Sequence, residues 1–330
     1  MDWFLGQTNA EGLFAFDWEF RDQHLDESGR PYVTPIEWVR RAETAADLLV
    51  SPTFNVFIDR PGMGWHNVEE PGIDRRGCNA AMNALLVIAL RALAELEEAC
   101  GEAGADELRR RAGALAAVAA RKFWNAREGA FVDGVRGGCQ LEQVSQQTNT
   151  WCVLAGFCSG EQARAVLRRI LDGTDAKLAR SGPYFWTFML PALAGAGMLG
   201  EALAEVERLW WGMIERDATT SWETFSGDEL DSLCHPWSCA PIELLSRWVA
   251  GVGALPSGAS VIEVRPQVGL VRSVRCRVMT CCGPVSIAWE RVTGQCELSG
   301  SLPEGVTGRL HLPDVHIVEV QGNWQAASLS

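Results

Sequence analysis

The chain has 330 residues, which is enough for one large domain and a small one with a substantial core. Apolar residues make up 47% of it and charged residues 22%, the balance of an ordinary globular protein, and no apolar run approaches the ~18 residues of a membrane span. The net charge of -13 repels phosphate backbones, so nucleic acid is excluded as a partner, whereas a neutral sugar is unaffected. The first residues, Met1 to Gln7, lack the basic-then-apolar pattern of a secretory signal, which predicts a cytoplasmic location; the true N-terminus is expected to lie upstream of this abrupt start. Neither membrane nor nucleic acid is expected as a partner, and the composition leaves the oligomeric state open.

Eleven cysteines are scattered without C-x-x-C spacing, and Cys281 and Cys282 are adjacent. Buried, reduced thiols are the expectation, with no zinc, no other metal and no cofactor. Fourteen tryptophans stand against two tyrosines. Most Trp side chains belong in a core, but a flat ring also stacks on the C–H face of a pyranose.

In chain order, the first helix is expected over Ile36 to Val50. A second runs from Asn79 to Cys100, with Ala81, Leu85, Ile88, Ala92 and Leu96 on one stripe, and is apolar enough to lie deep in the fold. Over Ala105 to Trp124 the stripe Leu108, Ala112, Leu115, Ala119, Phe123 faces away from Arg109, Arg110, Arg111 and Arg121. That predicts a one-sided outer helix with a solvated arginine face. Further helices are expected over Thr148 to Cys158, Gly160 to Leu171, Tyr184 to Ala196, Glu201 to Glu215 and Pro241 to Val252. Inner helices alternating with outer ones suggest concentric rings, an (α/α) toroid. No motif repeats at a fixed period, which counts against a solenoid.

Near Gly251 the period changes. Val285, Ile287 and Trp289 alternate with Ser286, Ala288 and Glu290. Val306, Leu310 and Leu312 follow the same rule, as do Val318 and Val320. Gly283-Pro284, Pro303-Glu304-Gly305 and Pro313 punctuate the runs. This pattern predicts a small antiparallel β-sandwich over 251–330 after a helical domain over 1–250, with the boundary between Gly251 and Ser260.

Gly195 to Gly200 fits the dinucleotide spacing G-x-G-x-x-G, but a helix and not a strand precedes it, so a helix–helix turn is expected. Ala218 to Phe225 follows a helix and is poor in helix formers. There Trp222 is placed to stack on a sugar and Glu223 to take a proton from water, or the segment is a plain loop with a solvated carboxylate. Beyond it, His235 in Ser232 to Ser238 either orients a hydroxyl or is structural, with Pro236 stiffening the backbone. The loop after Phe57-Ile58-Asp59 carries Trp65, His66, Glu69 and Glu70. Asp59 is a candidate hydroxyl ligand or a partner of Arg60 or Arg75, and the two glutamates read as surface charges. In Ser145 to Thr150 the Thr or Asn is placed to cap a helix, and Asn149 is also a candidate diol ligand. Tyr184 and Trp186 follow a Gly-Pro turn and are candidates to face a cavity.

Taken in order, these stretches resemble the bacterial α-L-rhamnosidase family of glycoside hydrolases over about Asn55 to Leu312. The resemblance is carried by six motifs: Phe57-Ile58-Asp59, Ser145 to Asn149, Pro183 to Phe185, Ala218 to Glu223, Ser232 to Ser238, and the paired Gly283 to Glu290 and Leu302 to Val306. It implies a six-hairpin (α/α) toroid, incomplete at its N-terminus, followed by the β-sandwich. It also implies an inverting hydrolase of terminal α-L-rhamnosides with Glu223 as general base. Asp59, Trp65, Asn149, Tyr184, Trp186, Trp222 and His235 would then be substrate-binding residues. Inversion requires a second carboxyl ~6.5–9.5 Å from the first to protonate the leaving oxygen. The family's Asp-rich acid motif is not found upstream. Asp17, Glu19, Asp59 and Glu69 are the possible substitutes, and no spacing supports any of them. The alternative reading is a non-catalytic carbohydrate-binding or pseudoenzyme fragment that lacks the general acid.

Overall fold

The computed structural model describes residues 78–228, 231–253, 260–292, 295–312 and 317–329. The expected helix over Ile36 to Val50, together with Asp59 and Trp65, lies outside those residues. By its internal contacts the chain divides into two compact units, Met1–Ala192 and Leu193–Ser330.

In the first unit a two-residue strand, β1 (Cys78–Asn79), leads directly into α1 (Ala80–Cys100). The Asn79 side chain caps α1 by accepting the Met82 N–H at 3.0 Å, and Gly101 at φ 75° ends the helix in the left-handed conformation. A short link reverses the chain into α2 (Ala105–Phe123). All five residues of the predicted α2 stripe are buried, and the arginines lie on the exposed side, where Arg109 pairs with Glu98, and Arg110 and Arg111 with Glu107. Such exposed pairs add little stability.

The buried face of α1 differs from the expected one. Ala80, Ala84, Val87, Leu90 and Ala94 form it, whereas Leu96 is 62% exposed. A helix apolar on most sides presents several near-equivalent stripes. The one chosen is rich in alanine, whose small side chain lets a neighbouring helix come close.

The link from α2 to the next helix carries four short strands that sequence periodicity could not reveal at two or three residues each. These are β2 (Trp124–Asn125), β3 (Ala130–Phe131), β4 (Gly134–Arg136) and β5 (Cys139–Gln140). β2 pairs with β3, while β4 lies between β1 and β5. α3 (Gln146–Leu154) packs against α1 and against α4 (Gly160–Leu171), which buries Ala163, Val166, Leu167 and Ile170 on one face. A 3-10 turn at Pro183–Phe185 opens α5 (Trp186–Gly195), and the division between the units falls within α5.

In the second unit, α6 (Leu199–Ile214) follows a tight turn with Gly197 at φ 77°, so the glycine spacing around Gly195 is indeed a helix–helix turn. The predicted helix over Pro241 to Val252 is instead α7 (Ala240–Glu243) followed by a π-helical turn, Leu244–Val249. Gly251 then sits at φ 79°, where the Arg265 N–H donates to its carbonyl at 2.8 Å.

The β part has two sheets around one core. β6 (Val261–Val264), β10 (Thr307–His311) and β11 (Ile317–Val320) form the first, in the order β11-β10-β6. β7 (Ser273–Thr280), β8 (Gly283–Val292), β9 (Gln295–Ser301) and β12 (Asn323–Leu329) form the second, in the order β12-β9-β8-β7. Ile262, Val264 and Leu310 from one sheet meet Val285, Ile287, Trp289, Leu298 and Trp324 from the other. The helical region followed by antiparallel sheets is the expected fold class. One pairing departs from it: β6 and β10 run parallel. Their separation in sequence frees them from hairpin geometry.

Of the eleven cysteines, all of them described, none forms a disulfide. Only Cys78, Cys152, Cys158 and Cys296 are buried, so the expectation of buried thiols holds for four. Burial pushes the Cys158 thiol up to about 11. Among the described residues no helix is long and apolar enough to cross a membrane.

Two predictions follow from the β part. A Cβ on Gly251 would stand 2.1 Å from the Arg265 carbonyl, and the backbone there is left-handed. Gly251→Ala is expected to cost about 1–3 kcal/mol, read from urea unfolding. On the outer face of the three-stranded sheet His311 Nε2 donates to Glu263 Oε2, with Arg265 and Arg309 near the same carboxylate. The His311 hydrogen bond, aided by these cations and opposed by partial burial, holds the Glu263 carboxyl below its usual range. A lowered folded-state value stabilises above the unfolded value and is lost as pH falls through the folded one. The stability advantage of wild type over Glu263→Gln should therefore be present at ~pH 6 and fade towards ~pH 3.

Candidate functional site

The segment between α6 and α7 folds back on itself as two arms of a clip. The Glu223 N–H donates to the Ser232 carbonyl at 2.8 Å, and the His235 N–H donates to the Ser221 carbonyl at 2.8 Å. The Thr220 hydroxyl donates to the Leu233 carbonyl. These bonds place Trp222, Glu223 and His235 on facing arms of one loop, all within the second unit. The floor of the clip is braced from α6. Trp210 Nε1 donates to the Ser238 carbonyl at 3.1 Å, and its ring meets Phe225 edge-on with centroids 5.2 Å apart.

Glu223 is half-buried. Its Oε2 accepts the Ser232 N–H at 3.1 Å, so Ser232 holds the residue through both its N–H and its carbonyl. Oε1 has no hydrogen-bond partner among the described residues. A carboxylate with one oxygen anchored and the other open is oriented and still able to bind water. Below it, the Thr224 hydroxyl donates to the Asp231 carboxylate, whose Oδ2 also accepts the Asp228 N–H at 3.1 Å. That second carboxylate locks the loop tip.

The predicted sugar platform on Trp222 is not there. The ring is 7% exposed, with the Arg216 guanidinium 4.3 Å from its centroid. Gly227, at φ 60°, lies so close that a Cβ would stand 2.3 Å from the ring. No face remains for a pyranose. Arg216 also donates to the carbonyls of Gly212, Phe225 and Ser226, so Trp222 and Arg216 together pin the loop to α6. Trp237, by contrast, is 69% exposed beside the His235 ring, at a centroid distance of 5.8 Å. Its motif, Ser232 to Ser238, signalled its neighbourhood, while composition alone could not tell it from the other thirteen tryptophans.

The remaining candidates lie in the first unit and divide by burial. Asn149 is fully buried: its amide donates to the carbonyls of Phe131 and Ser145, and its oxygen accepts the Phe131 N–H at 2.8 Å. Both of its donors are engaged in clamping β3, so Asn149 is structural. Neither Thr148 nor Asn149 caps α3, as had been expected. Ser145 does, accepting the Thr148 N–H at 3.1 Å and donating to the fully buried Asp133 at 2.6 Å. Asp133 had drawn no notice in the sequence, where a lone Asp in a Gly-rich stretch reads as a turn. Trp186 is 2% exposed and belongs to the core. Tyr184 is half-buried, with its ring 5.9 Å from Phe188. A polar hollow of about 720 Å³ lies near β5 and α4, but none of the predicted site residues lines it, and its Arg169 is paired with Asp175 at 2.6 Å.

Residues 32–188 match the Mannosylglycerate hydrolase MGH1-like glycoside hydrolase domain, and residues 251–326 match the bacterial α-L-rhamnosidase C-terminal domain. No curated protein matches the chain. Among solved structures, a GH78 family rhamnosidase of Bacillus sp. GL1 is similar at 27% identity and a TM-score of 0.67, over 77% of this chain and 28% of that one. An α-L-rhamnosidase of Streptomyces avermitilis, solved with L-rhamnose, shares the fold at 19% identity and a TM-score of 0.59, over 82% and 28% of the two chains. That of Aspergillus terreus does so at 17% and 0.59, over 74% and 30%. The chain thus spans less than a third of the length of these structures. The helical part matches a glycoside hydrolase domain, the β part matches a bacterial α-L-rhamnosidase C-terminal domain, and most of the chain is similar to the GH78 rhamnosidase of Bacillus sp. GL1.

Proposed function

We propose that this chain is the C-terminal part of an inverting glycosidase acting on terminal α-L-rhamnosides, with Glu223 as general base. The observation that carries this reading is the asymmetric carboxylate. Oε2 is fixed by the Ser232 N–H, and Oε1 has no partner among the described residues. In an inverting reaction the base deprotonates a water on the face of the sugar opposite the leaving group, and a carboxylic acid ~6.5–9.5 Å away protonates the departing oxygen. Glu223 Oε1 takes the water's proton as its oxygen forms the bond to the anomeric carbon. The bond to the aglycone oxygen breaks with its electrons, and that oxygen receives the acid's proton. His235, on the arm facing Glu223, would orient a ring hydroxyl, and the exposed Trp237 would stack on the pyranose.

The helical region up to about residue 250 would be the glycosidase domain and the remainder its β-domain, a division supported by the C-terminal family match beginning at 251. The absence of any disulfide among eleven cysteines accords with a cytoplasmic setting.

Glu223→Gln keeps the Ser232 N–H bond to the side chain but removes the base. It should lower aryl α-L-rhamnoside hydrolysis by roughly 10²–10⁴-fold with unfolding unchanged. Wild-type turnover in that variant would rule out this base. Proton NMR of the first-formed sugar should show β-L-rhamnose; the α-anomer would exclude inversion. Trp237→Ala should raise KM by about 2–10-fold and leave kcat nearly unchanged. A wild-type chain that binds L-rhamnose without releasing any aglycone would instead be a carbohydrate-binding protein.

A further inference from the structure

The four-stranded sheet has a second face, which the β core does not use. Val274, Ile287, Leu298, Trp324 and their neighbours point inwards, so the alternate residues point out. Pairing aligns these in rows across the sheet. One row is Arg277, Ser286, Ser301 and Asn323; the next is Arg275, Ala288, Ser299 and Gln325. Long side chains on β7 and intermediate ones on β12 thus flank two central strands bearing only Ser and Ala. The profile makes a shallow trough along β8 and β9, with a volume of about 830 Å³. Its walls stand three strand spacings apart, ~14 Å between backbones.

The chemistry of the trough is specific. Among the described residues, no side chain of either row makes a hydrogen bond or ion pair within the protein. Several surface arginines elsewhere are taken up by carboxylates, as at Arg109, Arg164, Arg208 and Arg309. Arg275 and Arg277 are not, although the chain as a whole carries a charge of -13. The nearest acids on this face, Glu290 and Glu297, occupy the following row, opposite Ser273. Two unpaired guanidiniums, ~7 Å apart along β7, therefore line one wall. Three hydroxyls and two amides form the floor and the other wall.

We propose that this outer face binds an acidic oligosaccharide, with carboxylates on Arg275 and Arg277 and ring hydroxyls on Ser286, Ser299, Ser301, Asn323 and Gln325. Guanidinium matches carboxylate in a charge-assisted pair, and short hydroxyl and amide side chains match vicinal diols. A polyphosphate chain carries only acceptors and would leave the side-chain carbonyl oxygens of Asn323 and Gln325 without donors, which ring hydroxyls supply. A neutral saccharide would leave the arginine wall unused. The proposal rests on the reading that this chain works on carbohydrate, and it adds a second attachment point on the β-domain.

The test is calorimetric titration of the full chain with an oligouronate and with a neutral oligosaccharide of equal length. Wild type should bind the oligouronate, more weakly as salt rises, and the neutral sugar far less. The Arg275→Ser/Arg277→Ser double variant, which removes no internal hydrogen bond or ion pair, should bind roughly tenfold more weakly or worse. Ser299→Trp, which fills the trough, should also lose binding. Equal affinity for the neutral sugar, unchanged affinity in the double variant, or no oligouronate binding by wild type would each overturn the proposal. Aryl rhamnoside hydrolysis separates the two sites. It should survive in the double variant, and Glu223→Gln should bind the oligouronate as wild type does. A failure of Glu223 as base would then leave the binding result standing, and the reverse.

Discussion

Ser232 grips Glu223 twice, donating its N–H to the carboxylate and accepting the Glu223 N–H with its carbonyl. A flexible glutamate in an open loop would sample many rotamers, and few of them would aim an oxygen at a bound water. Tying one oxygen to the backbone of the facing arm removes most of that freedom without neutralising the charge. The rest of the loop serves this bond. Arg216 and Trp222 fasten one arm to α6, and the Asp231 carboxylate closes the tip through Thr224 and the Asp228 N–H. The Trp210 contact with Ser238 fixes where the second arm leaves the clip. The orientation of this carboxylate therefore depends on backbone geometry as much as on the side chain itself.

A comparable economy organises the first unit. Ser145 caps α3 and at the same time donates to buried Asp133, whose own backbone connects to α1 through the Ala80 N–H. Asn149, one turn further on, clamps β3. A run of five polar residues, Gln146 to Thr150, is thereby buried at the start of a helix, against the usual preference of such side chains for water. Gln146 and Asn149 are tolerated there because neighbouring backbone supplies hydrogen-bond partners, whereas the hydroxyls of Thr148 and Thr150 have none among the described residues. Gln146 shows the pattern: it donates to the Ile170 carbonyl and accepts from both the N–H and the hydroxyl of Ser181.

What could be read in advance follows from these facts. α2 was legible to within one residue at its end because its arginines leave a single apolar stripe. α1 was legible as a helix but not in its orientation, because alanine and leucine surround it. Period two revealed β8 and β10, while strands of two residues carry no period at all. At the site, Glu223 stood out as the carboxylate in a segment poor in helix formers. The misreadings of Trp222 and Asn149 share one cause. Both are chemically suited to bind a sugar, and only the three-dimensional arrangement reveals that Arg216 and Gly227, or the β3 backbone, already occupy them. The exposure of Trp237 is likewise a property of the fold and not of its sequence neighbours.

The parallel pairing of β6 with β10 sets an order of assembly. β6 has one full strand neighbour, β10, with Val261 meeting Thr307, and on its other edge an antiparallel bridge joins Val264 to Val252. During synthesis the whole β7–β8–β9 meander leaves the ribosome before that partner exists. Until it arrives, the edge of β6 that faces β10 has unpaired backbone groups, while the opposite edge can already meet the segment around Val252. The meander, closed by local hairpin contacts, can form early; the sandwich is sealed only by its last third. Closing the β10 edge of β6 thus joins segments some forty residues apart, the least local pairing in the β part.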